Sequence, residues 1–281
     1  MDKLFDIIHE DDELLVINKP ADLVCHPTKG DEYSSLISRV RLHLGADAKP
    51  HLVNRLDRET SGVTLVAKTA AVAGELGKLW EARVVEKEYV AIVYGHVREE
   101  HGLIDAALGK DVESIVAIKD CVRADGAASQ TEFWVERRFV RRESASDGRA
   151  RHSVRAASEI RESSSRAQRA EDCSPYLAAC GEGTFSLLRL LPRTGRKHQI
   201  RIHLAHVGHP IVGDKIYGGD VDLYLALVEG RLTEAQRVRL ILPNHALHAS
   251  ALRFAWRGRV VEFRCEPETL FTNFLTTDAS R

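Results

Sequence analysis

No uninterrupted apolar run in the 281-residue chain approaches the length of about 18 residues that a membrane-spanning helix needs. The N-terminus, MDKLFDIIHEDDELL, is too acidic and too interrupted for a signal peptide. A global basic character is also missing. The formal net charge is −1, so any contact with nucleic acid must come from local patches. Cysteine is sparse: five residues, an odd number, with no C-x-x-C spacing. A chain of this size buries an ample core without covalent staples, so the reading is reduced thiols in a cytoplasmic protein. Cys173 and Cys180 would pair or bind metal only in principle, because no second cluster accompanies them. There is no G-x-x-x-x-G-K-[ST], no G-x-G-x-x-G after a strand and no G-x-S-x-G. Nucleotide hydrolysis, dinucleotide binding and the common serine hydrolases are thereby unsupported.

What is present is an ordinary globular composition organised around His51–Lys68, HLVNRLDRETSGVTLVAK. Asp57 stands between Arg55 and Arg58, ahead of the turn-prone Thr60-Ser61-Gly62 and an apolar run, Val63–Ala67, that reads as a buried strand. Flanking cations would hold the carboxylate ionised, and the strand would hold it in position, as a nucleophile requires. A surface ion-pair turn leading into a strand explains the same residues, and this stretch alone does not separate the two.

Along the chain, Glu13–Asn18 reads as a strand closed by Pro20, and Ala21–Gly30 as a second extended piece ending in a turn. Ser34–Leu44 has helical spacing, with Ser34 or Ser35 as N-cap and Gly45 as the stop. Ala70–Arg83 is a helix, and Lys87–Tyr94 alternates as a strand on which Tyr89 is, by pattern, a packing residue. Thr131–Val135 begins another strand. Between Arg137 and Arg169 lie ten arginines, no lysine and four acidic residues, with serine and alanine between them. Residues 142–183 are expected to be a flexible Arg/Ser-rich insertion, because so few apolar side chains cannot offset the entropy of ordering. It would be a basic arm on a polynucleotide backbone or a tolerated surface loop.

Thr184–Leu191 is a strand. It leads to PRTGRKHQIRIHLAHVGHPIVGDKIYGG, with a helical face of Ile200, Leu204 and Val207, and Gly208 as its stop. Arg193, Arg196, Lys197 and Arg201 cluster at the entry to this helix with no adjacent anion, a favourable arrangement for a phosphate. His198, His203, His206 and His209 invite a metal. Spacings of three rotate them round a helix, however, and nothing completes the ligand set, so zinc is disfavoured. Leu223–Val238 reads as helical, Leu247–Trp256 as a strand, Val260–Arg264 as its hairpin partner, and Leu270–Leu275 as a short amphipathic helix. The class is α+β with a mixed, mainly antiparallel sheet. A two-carboxylate glycosidase is weakened because the cations near Asp57 and Glu59 would keep both ionised.

Five stretches in this order resemble the RluA-type RNA pseudouridine synthases: LLVINKPADLVCHP, NRLDRETSG, KEYVAIVYG, TGRKHQIRIHLAHVGHPIVGDKIYG and NHALHASALRF. The resemblance implies a pseudouridine synthase fold with a catalytic cleft across the sheet. In it Asp57 would be the catalytic aspartate, Tyr89 would stack on the target base, Arg201 would pair with Asp57, and Arg55 would hold the opened RNA strand. It implies an isomerase acting on uridines of ribosomal or transfer RNA, needing no cofactor or metal. Residues 1–281 would be a monomeric, cytoplasmic catalytic domain without the N-terminal S4 domain of many relatives. Two positions depart from the family pattern: Asn54 replaces the usual histidine, and Asp22 a common glycine.

Overall fold

The structure, a computed structural model, describes residues 4–27, 34–45, 47–142 and 182–276. Its strands are β1 (Asp6–Glu10), β2 (Leu14–Lys19), β3 (His51–Leu52), β4 (Ser61–Ala67), β5 (Glu86–Tyr94), β6 (His101–Asp105), β7 (Leu108–Lys110), β8 (Asp120–Val122), β9 (Gln130–Arg142), β10 (Glu182–Pro192), β11 (Leu247–Trp256) and β12 (Arg259–Arg264). The helices are α1 (Leu36–Leu44), α2 (Ala70–Glu81), α3 (Gln199–His206), α4 (Asp222–Val228), α5 (Glu234–Leu240) and α6 (Thr269–Thr276). One large sheet runs β1-β2-β4-β11-β5-β10-β9-β6, with β3 on β4 and β12 on β11, while β7 and β8 pair separately. Only the β4–β11 pairing is parallel among the described strands. The class is therefore the expected α+β, with a mixed, mainly antiparallel sheet.

Position in the sheet explains the sequence patterns. β4 lies between β2 and β11, and all seven of its residues are buried, which is why Val63–Ala67 is a continuous apolar run. α2 packs Val72 and Leu76 beneath β2, β4 and β11. On the other half, α3 and α6 cover β5 and β10, where Phe274 meets Phe185 edge to face at 5.1 Å. Ser35 caps α1 by accepting from the Ser38 N–H, and Gly45 (φ 103°) ends it, as expected.

Three expectations change. Ala21–Gly30 is not a strand over its described residues: one bridge, Val24 to Ser35, is all that pairs. Leu223–Val238 divides in two, because Gly230 turns at φ 69° and Thr233 starts α5 with a capping box to Gln236. The ends of the 142–183 stretch are strand: the Arg142 and Glu182 backbones face each other across β9 and β10. The expected flexible insertion otherwise lies outside the described residues, as do Cys173 and Cys180.

The seam between β4 and β11 depends on Gly62. Its φ is +116°, and a Cβ there would come within 2.2 Å of the Ala249 carbonyl oxygen. Gly62→Ala is expected to destabilise the fold by about 3 kcal/mol or more, combining backbone strain with overpacking against a rigid strand. Urea unfolding would measure it, and a loss below about 1 kcal/mol would mean that the seam yields easily.

Candidate active site

Three segments converge on one cleft of about 660 Å³: the loop from Leu52 to Thr60 ahead of β4, the turn from Pro192 to His198 ahead of α3, and β5 through Lys87 and Tyr89. Asp57 lies on the first segment. Its Oδ2 accepts a 3.0 Å hydrogen bond from Arg201 Nη1, and its side chain keeps 28% exposure toward the cleft. Burial works against the charge of Asp57. The opposing influences, of which the Arg201 guanidinium is the largest, together hold the carboxyl below its ordinary range. The arginines beside it in sequence do not serve it. Arg55 is exposed on the cleft rim, and Arg58 turns to Asp22 at the surface, 2.7 Å away.

Arg201 is buried and held from behind. Its Nε donates to Asp214 Oδ2 at 2.6 Å and its Nη2 to Asp214 Oδ1 at 2.9 Å. The same Oδ1 accepts from the backbone N–H groups of Ile216 and Tyr217, and the Tyr217 ring lies under the guanidinium at 5.0 Å. Burial opposes the charge of Asp214. Arg201 and the backbone donors overcome it and push the carboxyl far below the usual range. A fixed arginine thus presents one N–H edge to Asp214 and another to Asp57. Asp214 belongs to the GDKIYG run already singled out, but its role depends on a fold that returns the chain to α3.

Tyr89 lines the same cleft. Burial, with the Asp57 charge added to it, raises its phenol well above the ordinary range and keeps it neutral. Its ring is therefore an uncharged face beside the carboxylate.

The phosphate site expected at the α3 entry is largely neutralised. Arg193 pairs with Glu132, Lys197 with Asp120 at 2.9 Å, and Arg201 with Asp57 and Asp214. Those carboxylates arrive from β9, from β8 and from beyond α3, so local sequence hides them. Arg196 has no ion pair among the described residues and lines the cleft with Arg55. The four histidines diverge as well. His198 reaches Tyr217, His203 bridges Thr131 and the Ala106 carbonyl, His209 meets the Tyr94 carbonyl, and His206 is exposed. Among the described residues no three His, Cys, Asp or Glu side chains are grouped to share an ion.

Behind Asp57 a second buried layer secures its loop. Lys19 is fully buried and donates to the carbonyls of Pro20, Leu23 and Arg58 at 2.8, 2.8 and 3.1 Å. It thereby ties the end of β2 to the peptide just after the nucleophile candidate. Burial pulls its pKa down to about 8. Glu59 faces away from the cleft, accepting from Lys215 Nζ at 2.8 Å and from the His245 N–H at 3.3 Å. Burial raises its carboxyl despite Lys215, contrary to the expectation that neighbouring cations would dominate. Thr60 shares a 2.7 Å hydrogen bond with His245, and Ser61 one of 2.9 Å with His248.

The two departures from the family pattern have local explanations. Asp22 sits at φ 62°, a left-handed position that suits glycine, and its carboxylate engages Arg58. Asn54 donates to the Val63 carbonyl and accepts from the Leu65 N–H, extending the ladder of β3 along β4 by one side chain.

These groups also set the acid limit of stability. Burial holds His245 at about 3 and His248 at about 4, so both stay neutral in the fold, whereas an unfolded histidine binds a proton below about 6.5. The unfolded chain therefore binds more protons over that window, and stability falls as pH is lowered from 6.5 toward 4. Asp57 and Asp214 are lowered carboxylates whose contribution is lost only below the ordinary aspartate range. Glu59, raised by burial, acts in the opposite sense. Unfolding free energy is expected to drop by several kcal/mol between pH 6.5 and 4. Denaturant titrations across that range check it; a flat profile would contradict neutral burial of these histidines.

The sheet and cleft together define a class. The fold matches human RNA Pseudouridylate Synthase Domain Containing 1, with a TM-score of 0.63 over 95% of this chain and 86% of that one, at 23% identity. A sequence profile described as RNA pseudouridylate synthase matches residues 13–206. Ribosomal large subunit pseudouridine synthase D of Xanthomonas campestris is 32% identical over 251 residues, covering 88% of this chain and 61% of the relative. An "Uncharacterized RNA pseudouridine synthase" of Chlorobaculum parvum is 31% identical over 258 residues, 88% of this chain and 65% of that protein. The chain belongs to the RNA pseudouridylate synthase family, in its RluA-type branch. It spans about three fifths of the length of the curated relatives it matches.

Proposed function

We propose that this protein is an RNA pseudouridine synthase, an isomerase that converts uridines of ribosomal or transfer RNA with Asp57 as nucleophile. The observation that carries the reading is an ionised carboxylate on the floor of an open cleft, clamped by Arg201, with the neutral ring of Tyr89 beside it. A uridine in a helix does not expose its glycosidic bond, so the target nucleotide is flipped out at a cost of a few kcal/mol. Stacking on Tyr89 and contact between Arg55 and the opened strand offset that cost. Asp57 attacks the nucleoside, the bond from the ribose to N1 breaks, uracil rotates, a bond forms from the ribose to C5, and the bond to Asp57 breaks to return the free carboxylate. N1 gains a proton and C5 loses one, so the reaction is balanced without an external reductant or oxidant. The ordered stretches are read as one catalytic unit, interrupted by residues 142–183, which would add basic contacts to RNA.

The loss of the C5 hydrogen supplies the test. RNA labelled with tritium at uridine C5, taken from a strain lacking this gene, is incubated with the purified protein. Release of tritium to water, together with new carbodiimide-reactive sites, is expected. A protein that releases none from either ribosomal or transfer RNA would refute the reading. Comparing pseudouridine maps of wild-type and deletion RNA then names the target.

A further inference from the structure

His198 is a residue to which the reading above gives no role, and its geometry is unusual. It has φ 53° and ψ 17°, a left-handed conformation uncommon for a side chain of this size, at the residue that precedes α3. Such strain persists only where the surroundings impose it, and it concentrates at functional positions. Here they do impose it. Gln199 Oε1 accepts from the Arg196 N–H at 3.0 Å and from Thr194 Oγ1 at 2.6 Å, while Gln199 Nε2 donates to the Gln130 carbonyl at 2.9 Å. The turn is locked to β9, and its imidazole is turned into the cleft with the side chain only 10% exposed.

The two ring nitrogens have different surroundings. Nδ1 lies 2.9 Å from the Tyr217 hydroxyl. Tyr217 is buried, and its oxygen already accepts the Asp120 N–H at 3.3 Å. Among the described residues His198 Nδ1 is the only acceptor for the hydroxyl proton. Tyr217 therefore donates, Nδ1 accepts, and the proton of the neutral ring sits on Nε2. Burial lowers the His198 pKa against the pull of Asp57, which keeps the ring neutral near pH 7. Nε2 stands 3.9 Å from Asp57 Oδ2, too far to bond it. The chain from the Asp120 amide through Tyr217 to His198 ends in a donor aimed at the space beside the nucleophile.

We infer that His198 Nε2–H donates a hydrogen bond to a carbonyl oxygen of the target uracil, stabilising the negative charge the base acquires as its bond to ribose breaks. Tyr217 is the positioning residue that fixes the tautomer. This inference rests on the proposed isomerase activity. A preorganised donor at developing charge acts on kcat and not on KM, and its removal costs about 100-fold or more.

Three variants test it, each assayed by tritium release from C5-labelled RNA, with melting temperature as the folding control. His198→Asn suits the left-handed backbone but is too short to reach, and kcat is expected to fall about 100-fold with KM unchanged. His198→Gln places an amide N–H near the Nε2 position and is expected to restore a substantial part of that loss. Tyr217→Phe is expected to lower kcat less than His198→Asn, and the double variant to be no slower than His198→Asn alone. Wild-type-like kcat in a folded His198→Asn protein overturns the inference, as does a loss confined to KM, or additive losses in the double variant. Absence of tritium release by the wild-type protein would instead overturn the isomerase reading itself.

Discussion

Asp57→Asn is expected to lower tritium release by roughly 10⁴-fold or more while leaving the protein folded. The asparagine is nearly isosteric, and its carbonyl still accepts from Arg201, but it is not a nucleophile. Folding tolerates the change because Arg201 does not depend on Asp57 for its charge balance. Asp214 takes two of its N–H groups at 2.6 and 2.9 Å, deeper in the core. The stability loss should stay near 1 kcal/mol, the scale of one altered hydrogen bond. Single-turnover release and a urea curve on the same preparation separate the two effects. A folded Asp57→Asn protein within tenfold of wild-type activity would remove Asp57 from the chemistry. Because the Asp57 carboxyl is held below its ordinary range, its ionisation should leave no trace in the rate above pH 5.

Asp214→Ala is expected to destabilise the protein by about 3–5 kcal/mol, the range for breaking a buried ion pair from one side. Arg201 would be left with a buried charge, and the Ile216 and Tyr217 N–H groups would lose their acceptor. The gentler Asp214→Asn keeps that acceptor and tests positioning. With the bidentate anchor gone, Arg201 is free to shift relative to Asp57, and displacement of about 1 Å is enough for a loss near 100-fold. The expected result is therefore a folded, weakened protein whose kcat falls while RNA affinity changes little. Unchanged stability and rate in Asp214→Asn would show that the clamp is dispensable. The contrast between the two aspartates is the useful part. Asp57 should cost rate with little loss of stability, and Asp214 should cost both.

How much of this site was legible in the sequence follows from where each partner comes from. Local periodicity identified β4, β5, β10, β11, α1, α2 and α3, because amphipathic spacing and caps act within a few residues. It missed β1, β3, β6, β7 and β8, short strands whose residues are mostly polar or half-exposed. It also joined α4 to α5, since the glycine and threonine that separate them lie in a continuous helical-looking pattern. In the site, Asp57 stood out through its turn-and-strand context. Resemblance to the family supplied Tyr89, Arg55 and Arg201, and Arg201 does meet Asp57 across 144 positions.

The electrostatics were not legible locally. Arg55 and Arg58 flank Asp57 in sequence, yet neither pairs with it: Arg55 lies exposed on the cleft rim, and Arg58, in the turn that follows Asp57, pairs with Asp22 at the surface. The four cations before and within α3 appeared free of anions only because Asp120, Glu132 and Asp214 lie far away along the chain. Glu59 appeared to be an ionised neighbour of Asp57, but the turn between them sends it to the opposite side, where burial governs its pKa.

The sequence by itself determined the family, the α+β class and the identity of the central carboxylate, since these depend on motif order, hydrophobic period and residue type. Only the tertiary structure decided which charge answers which. Coulombic and hydrogen-bond energies depend on distance through space. The folding of the sheet converts separations of 13, 19 and 144 residues into contacts of 2.6, 2.9 and 3.0 Å.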